Sequence, residues 1–174
     1  MSYKVVTLTE ESYDKYKNDI QFLADICTKE IFFNIKTQKI GHSETIFYIY
    51  DEKLDKLVGI CAYDPTYTGE NNSIRFCYIK QLCILPEYRN KGLSLLLLKA
   101  VINISGLASL DYIRADFVDK KYAKSICKKL SFKMLGDLPF MKIAHVIKNT
   151  TICTLKLNAK TCKKYKDCLI DKIL

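Results

Sequence analysis

Residues 79–98 read Ile-Lys-Gln-Leu-Cys-Ile-Leu-Pro-Glu-Tyr-Arg-Asn-Lys-Gly-Leu-Ser-Leu-Leu-Leu-Leu, and the fold turns on how this run divides. Its first part is apolar and β-prone up to Leu85. Pro86 removes a backbone donor and ends a strand. A polar, basic loop follows through Lys91, and from Gly92 a run of leucines opens a helix. The first amides of any helix have no partner inside it, and the helix dipole adds partial positive charge at that end. A pyrophosphate placed there receives several N–H donors, with Arg89 and Lys91 adding charge. Gly92 carries no Cβ, so the backbone can approach a ligand closely. An ordinary strand–helix turn with two solvated cations uses the same residue types. The order of strand, proline turn, basic loop and apolar helix is what points to a phosphate site.

Working outward, Ser73–Leu85 is apolar on both faces, as a central strand covered on each side should be. The helix after Gly92 is apolar nearly all round (Leu93, Leu95–Leu98, Ala100–Ile102, Ile104), which predicts burial. Upstream, Thr45–Tyr50 and Leu57–Tyr63 form a predicted antiparallel hairpin about the polar Asp51–Lys56, and Pro65–Asn72 reads as a loop. Tyr3–Leu8 reads as a first strand. Thr9 is predicted to cap a helix with Glu10 and Glu11 in its first turn and Tyr13, Tyr16, Ile20, Leu23 and Cys27 along one face. A short helix around Glu30–Ile35 and a loop through Gly41 come next. Downstream, Asp111–Val118 is a predicted strand, and Lys120–Leu130 a helix with Ala123, Ile126, Cys127 and Leu130 on one face. Phe132–Leu135 and Thr150–Leu157 complete the strand set. The basic tail from Asn158 is amphipathic and predicted helical. No repeat, linker or low-complexity segment intervenes, so one domain is expected over residues 1–174.

A chain of 174 residues can bury a core without staples. With 49% hydrophobic residues in recurring runs, global disorder is excluded. Lys and Arg outnumber Asp and Glu by 28 to 19, which suits an anionic partner such as a phosphorylated cofactor, nucleic acid or a membrane surface. The lysines are dispersed, densest at Lys120–Lys133 and Lys156–Lys172. No compact motif interleaves them with aromatics, and arginine is scarce, which disfavours a nucleic-acid-binding module. The longest apolar run, Leu93–Ile104, is broken by Ser94, Lys99 and Asn103 and is too short to span a bilayer. No membrane partner is expected. Eight cysteines include no CxxC pair, and with His42 and His145 as the histidines no metal site is expected. Cys61, Cys77, Cys83 and Cys153 sit in apolar strand candidates as small hydrophobes. Met1-Ser2-Tyr3-Lys4 leads straight into a strand rather than a signal pattern, so a reduced, cytoplasmic protein is expected. A homodimer stays open.

Leu82-Cys83-Ile84-Leu85-Pro86-Glu87-Tyr88 followed by Arg89-Asn90-Lys91-Gly92-Leu93-Ser94 resembles the acetyl-CoA motif of the GNAT N-acetyltransferase superfamily. That motif is Arg/Gln-x-x-Gly-x-Gly/Ala after a strand ending in a Leu-x-Val-x-Pro-like sequence, and Ser94 replaces its last small residue. The resemblance covers about Thr45–Leu157. It includes Leu130-Ser131-Phe132, similar to the Leu-Gly-Phe that closes a helix in the family, and a final hairpin at Gly136–Lys142 and Thr150–Leu157. The Tyr122-to-Phe132 spacing resembles the arylalkylamine branch. The resemblance implies an α/β (α+β) fold with a mixed, mostly antiparallel central sheet flanked by helices. It also implies direct transfer of an acetyl group from acetyl-CoA to a primary amine, small or on a protein. Arg89, Asn90, Lys91, Gly92, Leu93 and Ser94 would hold the pyrophosphate, and backbone groups of Leu82, Cys83 and Ile84 the pantetheine.

The acid and base are where this chain departs from the family. The helix Tyr that protonates the departing thiolate in many members falls, counting back from Phe132, on Cys127, which also lies on an apolar face. Tyr122 is the nearest phenol and an alternative acid. The family's frequent Asn near the start of this helix falls at Lys120. Its Glu on the central strand falls at Tyr78. Asp116 on the neighbouring strand, facing the cleft or paired with Lys80 or Arg114, is an alternative base, as is a water relay. Glu87 reads as a solvated loop acid. These replacements leave a second reading: a protein of this fold that binds an acyl-CoA with lost or altered catalysis.

Overall fold

A computed structural model describes residues 3–30, 45–68, 74–117, 119–139, 149–164 and 170–173. Five helices and eight strands are found among them: β1 (Tyr3–Leu8), α1 (Glu10–Lys15), α2 (Lys17–Glu30), β2 (Thr45–Asp51), β3 (Lys56–Thr68), β4 (Arg75–Ile84), α3 (Leu93–Leu107), β5 (Tyr112–Phe117), α4 (Lys120–Leu130), β6 (Lys133–Pro139), β7 (Asn149–Lys156), α5 (Ala159–Lys164) and β8 (Ile170–Ile173). The strands form one sheet in the order β6-β7-β5-β4-β3-β2-β1-β8. Only β4–β5 and β1–β8 are parallel, so the sheet is mixed and mostly antiparallel, as expected. A parallel neighbour needs a crossover, and α3 supplies the one between β4 and β5.

Thr9 caps α1 through a reciprocal pair: Ser12 N–H donates to Thr9 Oγ1 (3.2 Å) and Thr9 N–H to Ser12 Oγ (2.8 Å). The expected single helix breaks at Tyr16, the C-cap of α1. Tyr16, Ile20 and Leu23 are buried as the periodicity predicts, whereas Tyr13 is exposed. The helix expected around Glu30–Ile35 lies outside the described residues beyond Glu30. The β2–β3 hairpin forms as predicted. The Pro65–Asn72 loop is corrected in part, because β3 runs on to Thr68. Pairing steps from Asp64↔Tyr78 to Tyr67↔Phe76 with one extra residue on β3, and a bulge of this kind tolerates the missing N–H of Pro65. The tail is corrected as well. It contains a short helix, α5, but then adds β8 parallel to the outer edge of β1.

The core lies between the sheet and its helices. Leu97, Leu98, Ala100, Val101 and Ile102 of α3 are fully buried beneath β-strand residues such as Phe47, Ile49, Leu57 and Ile113. Burial of an aliphatic side chain contributes about 1.5–3 kcal/mol, so α3 anchors the domain. Cys61, Cys77, Cys127 and Cys153 are free thiols. Cys83 departs from the expected pattern, being disulfide-bonded. Burial pushes the Cys77 thiol up to about 12, as for an inert packing group.

Candidate active site

β4 and β5 pair from Phe76↔Tyr112 only as far as Ile79↔Ala115. On its other side β4 keeps pairing with β3 to Ile84↔Gly59. Meanwhile β5 follows β7 to Phe117↔Thr151. The two parallel strands therefore diverge after Ile79, and residues 80–84 present an edge that β5 does not satisfy. A cavity of about 480 Å³ opens there. Leu82, Cys83 and Ile84 form one wall, Arg89, Asn90, Gly92, Leu93, Ser94 and Leu95 the floor, and Tyr122, Ser125, Ile126 and Lys129 of α4 the other wall.

The floor is the start of α3. Gly92 is its N-cap at φ +78°, in the left-handed region, and a Cβ built there would meet nothing within 4 Å. Asn90 is also left-handed at φ +62°. The helix carries no side-chain cap. By contrast, Thr9 caps α1, Asp119 accepts from the Lys121 and Tyr122 amides at α4, and Asn158 accepts from the Thr161 amide at α5. The helix start that faces the cavity thus has no capping side chain for its first amides, unlike the starts of α1, α4 and α5. Arg89 is anchored by its Nε, which donates to Ile84 O at 3.0 Å. Lys91, the one expected phosphate contact off the cavity wall, sits with its ammonium 4.8 Å from the Tyr88 ring centre.

The strand registers sort the side chains by face, because directly opposed residues point the same way. Asp64↔Tyr78, Ala62↔Gln81 and Tyr78↔Arg114 are opposed. Asp64, Tyr78, Gln81, Arg114 and Asp116 therefore share one face. Ile79, Leu82, Ala115 and Cys153 share the other, together with α3 and α4. On the first face Tyr78 Oη donates to Asp116 Oδ2 (3.2 Å), and Arg114 donates to both oxygens of Asp116 (3.0 and 2.9 Å). Lys80 and Asp64 form an ion pair at 3.3 Å, with side chains only 16% and 8% exposed.

Residues 7–126, more than half the chain, match the Acetyltransferase (GNAT) family. The chain belongs to this acetyltransferase family. No curated protein matches it. The structure of Arabidopsis thaliana NAA60 with a bisubstrate analogue superposes with TM-score 0.70 at 15% identity, over 90% of this chain and 99% of that one. The same protein with acetyl-CoA gives 0.68 at 15% identity, over 91% and 100%. The ribosomal-protein-S18-alanine N-acetyltransferase of Escherichia coli gives 0.63 at 11% identity, over 89% and 94%. At such identities the likeness is one of fold.

Within this GNAT acyltransferase, the three candidate catalytic side chains fall in different places. Tyr122 lines the cavity. Burial raises its phenol pKa, and Ser94, reaching it by a side-chain hydrogen bond, opposes the rise. Cys127 is off the wall, its thiol 3.2 Å from Cys153 Sγ. Tyr78 is on the opposite face, bonded to Asp116. Sequence reasoning missed Asp119, Ser125 and Lys129 as wall residues. Tyr122, Ser125, Ile126 and Lys129 stand at helical spacing, a stripe beside the apolar one that includes Ala123 and Cys127, and this periodicity was the available signal.

Proposed function

We propose that this GNAT protein is an N-acetyltransferase that moves the acetyl group of acetyl-CoA directly to a primary amine. The observation that carries the reading is the uncapped start of α3, with left-handed Gly92 and anchored Arg89, opening onto the unpaired edge of β4. Pyrophosphate fits there because free amides, the helix dipole and Arg89 converge on open space. The pantetheine arm then follows Leu82–Ile84, and a backbone N–H of that edge polarises the thioester carbonyl and stabilises the tetrahedral oxyanion. The amine approaches from the Tyr78–Asp116 face. Asp116, oriented by Arg114 and Tyr78, accepts the amine proton. The nitrogen attacks the carbonyl carbon, the C–S bond breaks, and Tyr122 protonates the departing thiolate. Cys127, turned to Cys153, takes no part in this path. No helix among the described residues is long and apolar enough to cross a membrane.

The replacements at Tyr78, Lys120, Cys127 and Ser131 favour a second reading, binding of acetyl-CoA without transfer. One experiment separates the two. Acetyl-CoA is added to the purified protein, and thermal stability and CoA release are followed over a panel of amines. Stabilisation with release supports transfer; stabilisation without release on any amine supports binding alone. Absence of stabilisation overturns both.

A further inference from the structure

Two buried side-chain polar atoms lack a hydrogen-bond partner among the described residues, Gln81 Nε2 and Ser105 Oγ. Ser105 faces the Cys77 thiol, a soft partner in the apolar layer under α3. Gln81 Nε2 has no partner among the described residues, and the residue is only 5% exposed. A buried amide donor left unmade costs about 1–3 kcal/mol, and native structures rarely retain one without a use. Methionine or leucine would fill the same space without that cost.

The place of Gln81 supplies the use. Lys80 is the extra residue between the Ile79↔Tyr63 and Gln81↔Ala62 pairs, so β4 bulges where it parts from β5. Bulges of this kind re-aim a side chain beside active sites. The register puts Gln81 on the face of Tyr78 and Asp116, between those groups and the Leu82–Ile84 edge. Around it Asp64 is paired with Lys80, and Asp116 with Arg114 and Tyr78. Among the described residues that face offers no oxygen to the Gln81 amide.

We propose that Gln81 reads the acceptor, donating from its side-chain amide to a carbonyl oxygen on the carbon next to the reacting amine. The acceptor class is then an α-amino amide, the chemistry of a peptide N-terminus, rather than a simple alkylamine. This rests on the acetyl-transfer reading. Oxygen and nitrogen of an α-amino amide are close together, so fixing the oxygen on Gln81 sets the nitrogen between Asp116 and the thioester.

The test compares alaninamide with isopropylamine, which differ by a carboxamide in place of a methyl, in the wild-type protein and in Gln81→Met. The ratio of their kcat/KM values is taken in each protein, so the different basicities of the amines cancel. The expected result is a preference for alaninamide in the wild type that falls about tenfold in Gln81→Met, the effect of one lost hydrogen bond. The KM for acetyl-CoA stays unchanged and the melting temperature is equal or higher, since an orphan donor has been removed. An unchanged ratio overturns the role of Gln81 and leaves acetyl transfer standing. A fall in melting temperature with weakened acetyl-CoA binding makes Gln81 structural and also overturns it. Absence of CoA release by the wild type with any amine overturns the transfer reading and this inference with it.

Discussion

Asp116 gains its chemistry from neighbours on two strands. Arg114 and Tyr78 hold both of its oxygens, so its position is fixed before a substrate arrives. Asp116→Asn keeps the shape and removes the proposed proton acceptor. We expect kcat to fall about a hundredfold with the KM for acetyl-CoA unchanged; steady-state rates at saturating amine check this. Asp55 is a contrasting carboxylate. It accepts from Lys15, Tyr16 and Tyr50 at 3.0, 2.5 and 2.8 Å, and the Lys15 bond leads in lowering its pKa to about 2. A depressed folded pKa stabilises the protein above the unfolded value and is lost as pH falls toward the folded one. Solvent screens this half-exposed cluster, so Asp55→Asn is expected to lower the melting temperature at pH 7 by only about one or two degrees, with the gap closing between about pH 4 and pH 2. Thermal melts of both proteins across that range test the sign. The Arg114–Asp116 pair was one of the alternatives legible in sequence, whereas the Asp55 cluster was not, because Tyr16, Tyr50 and Asp55 meet only once the β2–β3 hairpin has folded back over α1.

Helix ends carry the next two expectations. Gly92 is held at φ +78°, so a side chain there costs about 1 kcal/mol in backbone strain while meeting no protein atom within 4 Å. Gly92→Glu should fold and yet lose the thermal stabilisation by acetyl-CoA, since it puts bulk and negative charge over the free amides. Normal stabilisation of that variant would remove the loop from the binding site. Ser131 ends α4 in the left-handed region at φ +63°, where the family's glycine sits without strain. Ser131→Gly should raise stability by about 1 kcal/mol, read by urea unfolding. The limits of α4, Lys120–Leu130, were legible because the apolar stripe is a local signal. Its rotation was not. Counting from Phe132 gives a position, Cys127, but which stripe faces the cavity is set by packing on β5 and β7, and that favours Tyr122.

Across the whole molecule, local patterning revealed the central strands and the loop before α3, and long-range pairing supplied the rest. β8 is four residues in a lysine-rich tail, too short for a periodic signal, and it forms because β1 offers an edge. Ending the chain at Lys164 should lower the melting temperature and expose that edge to other copies. Size-exclusion chromatography over a range of concentrations should then show self-association beyond that of the full chain. Bulges were equally hidden: Pro65 breaks a strand pattern by rule, and only the extra residue in β3 lets the strand continue past it.

The parting of β4 from β5 leaves the α4 wall on one side of the sheet and the Tyr78–Asp116 pair on the other. On the proposed acetyl-transfer reading, a donor on the α4 side and an amine on the Tyr78–Asp116 side are both bound before the acetyl group moves, and the protein itself does not carry it. Double-reciprocal rate plots at fixed amine concentrations should therefore intersect rather than run parallel. A CoA lacking its sulfur should compete with the donor while leaving the other entrance free.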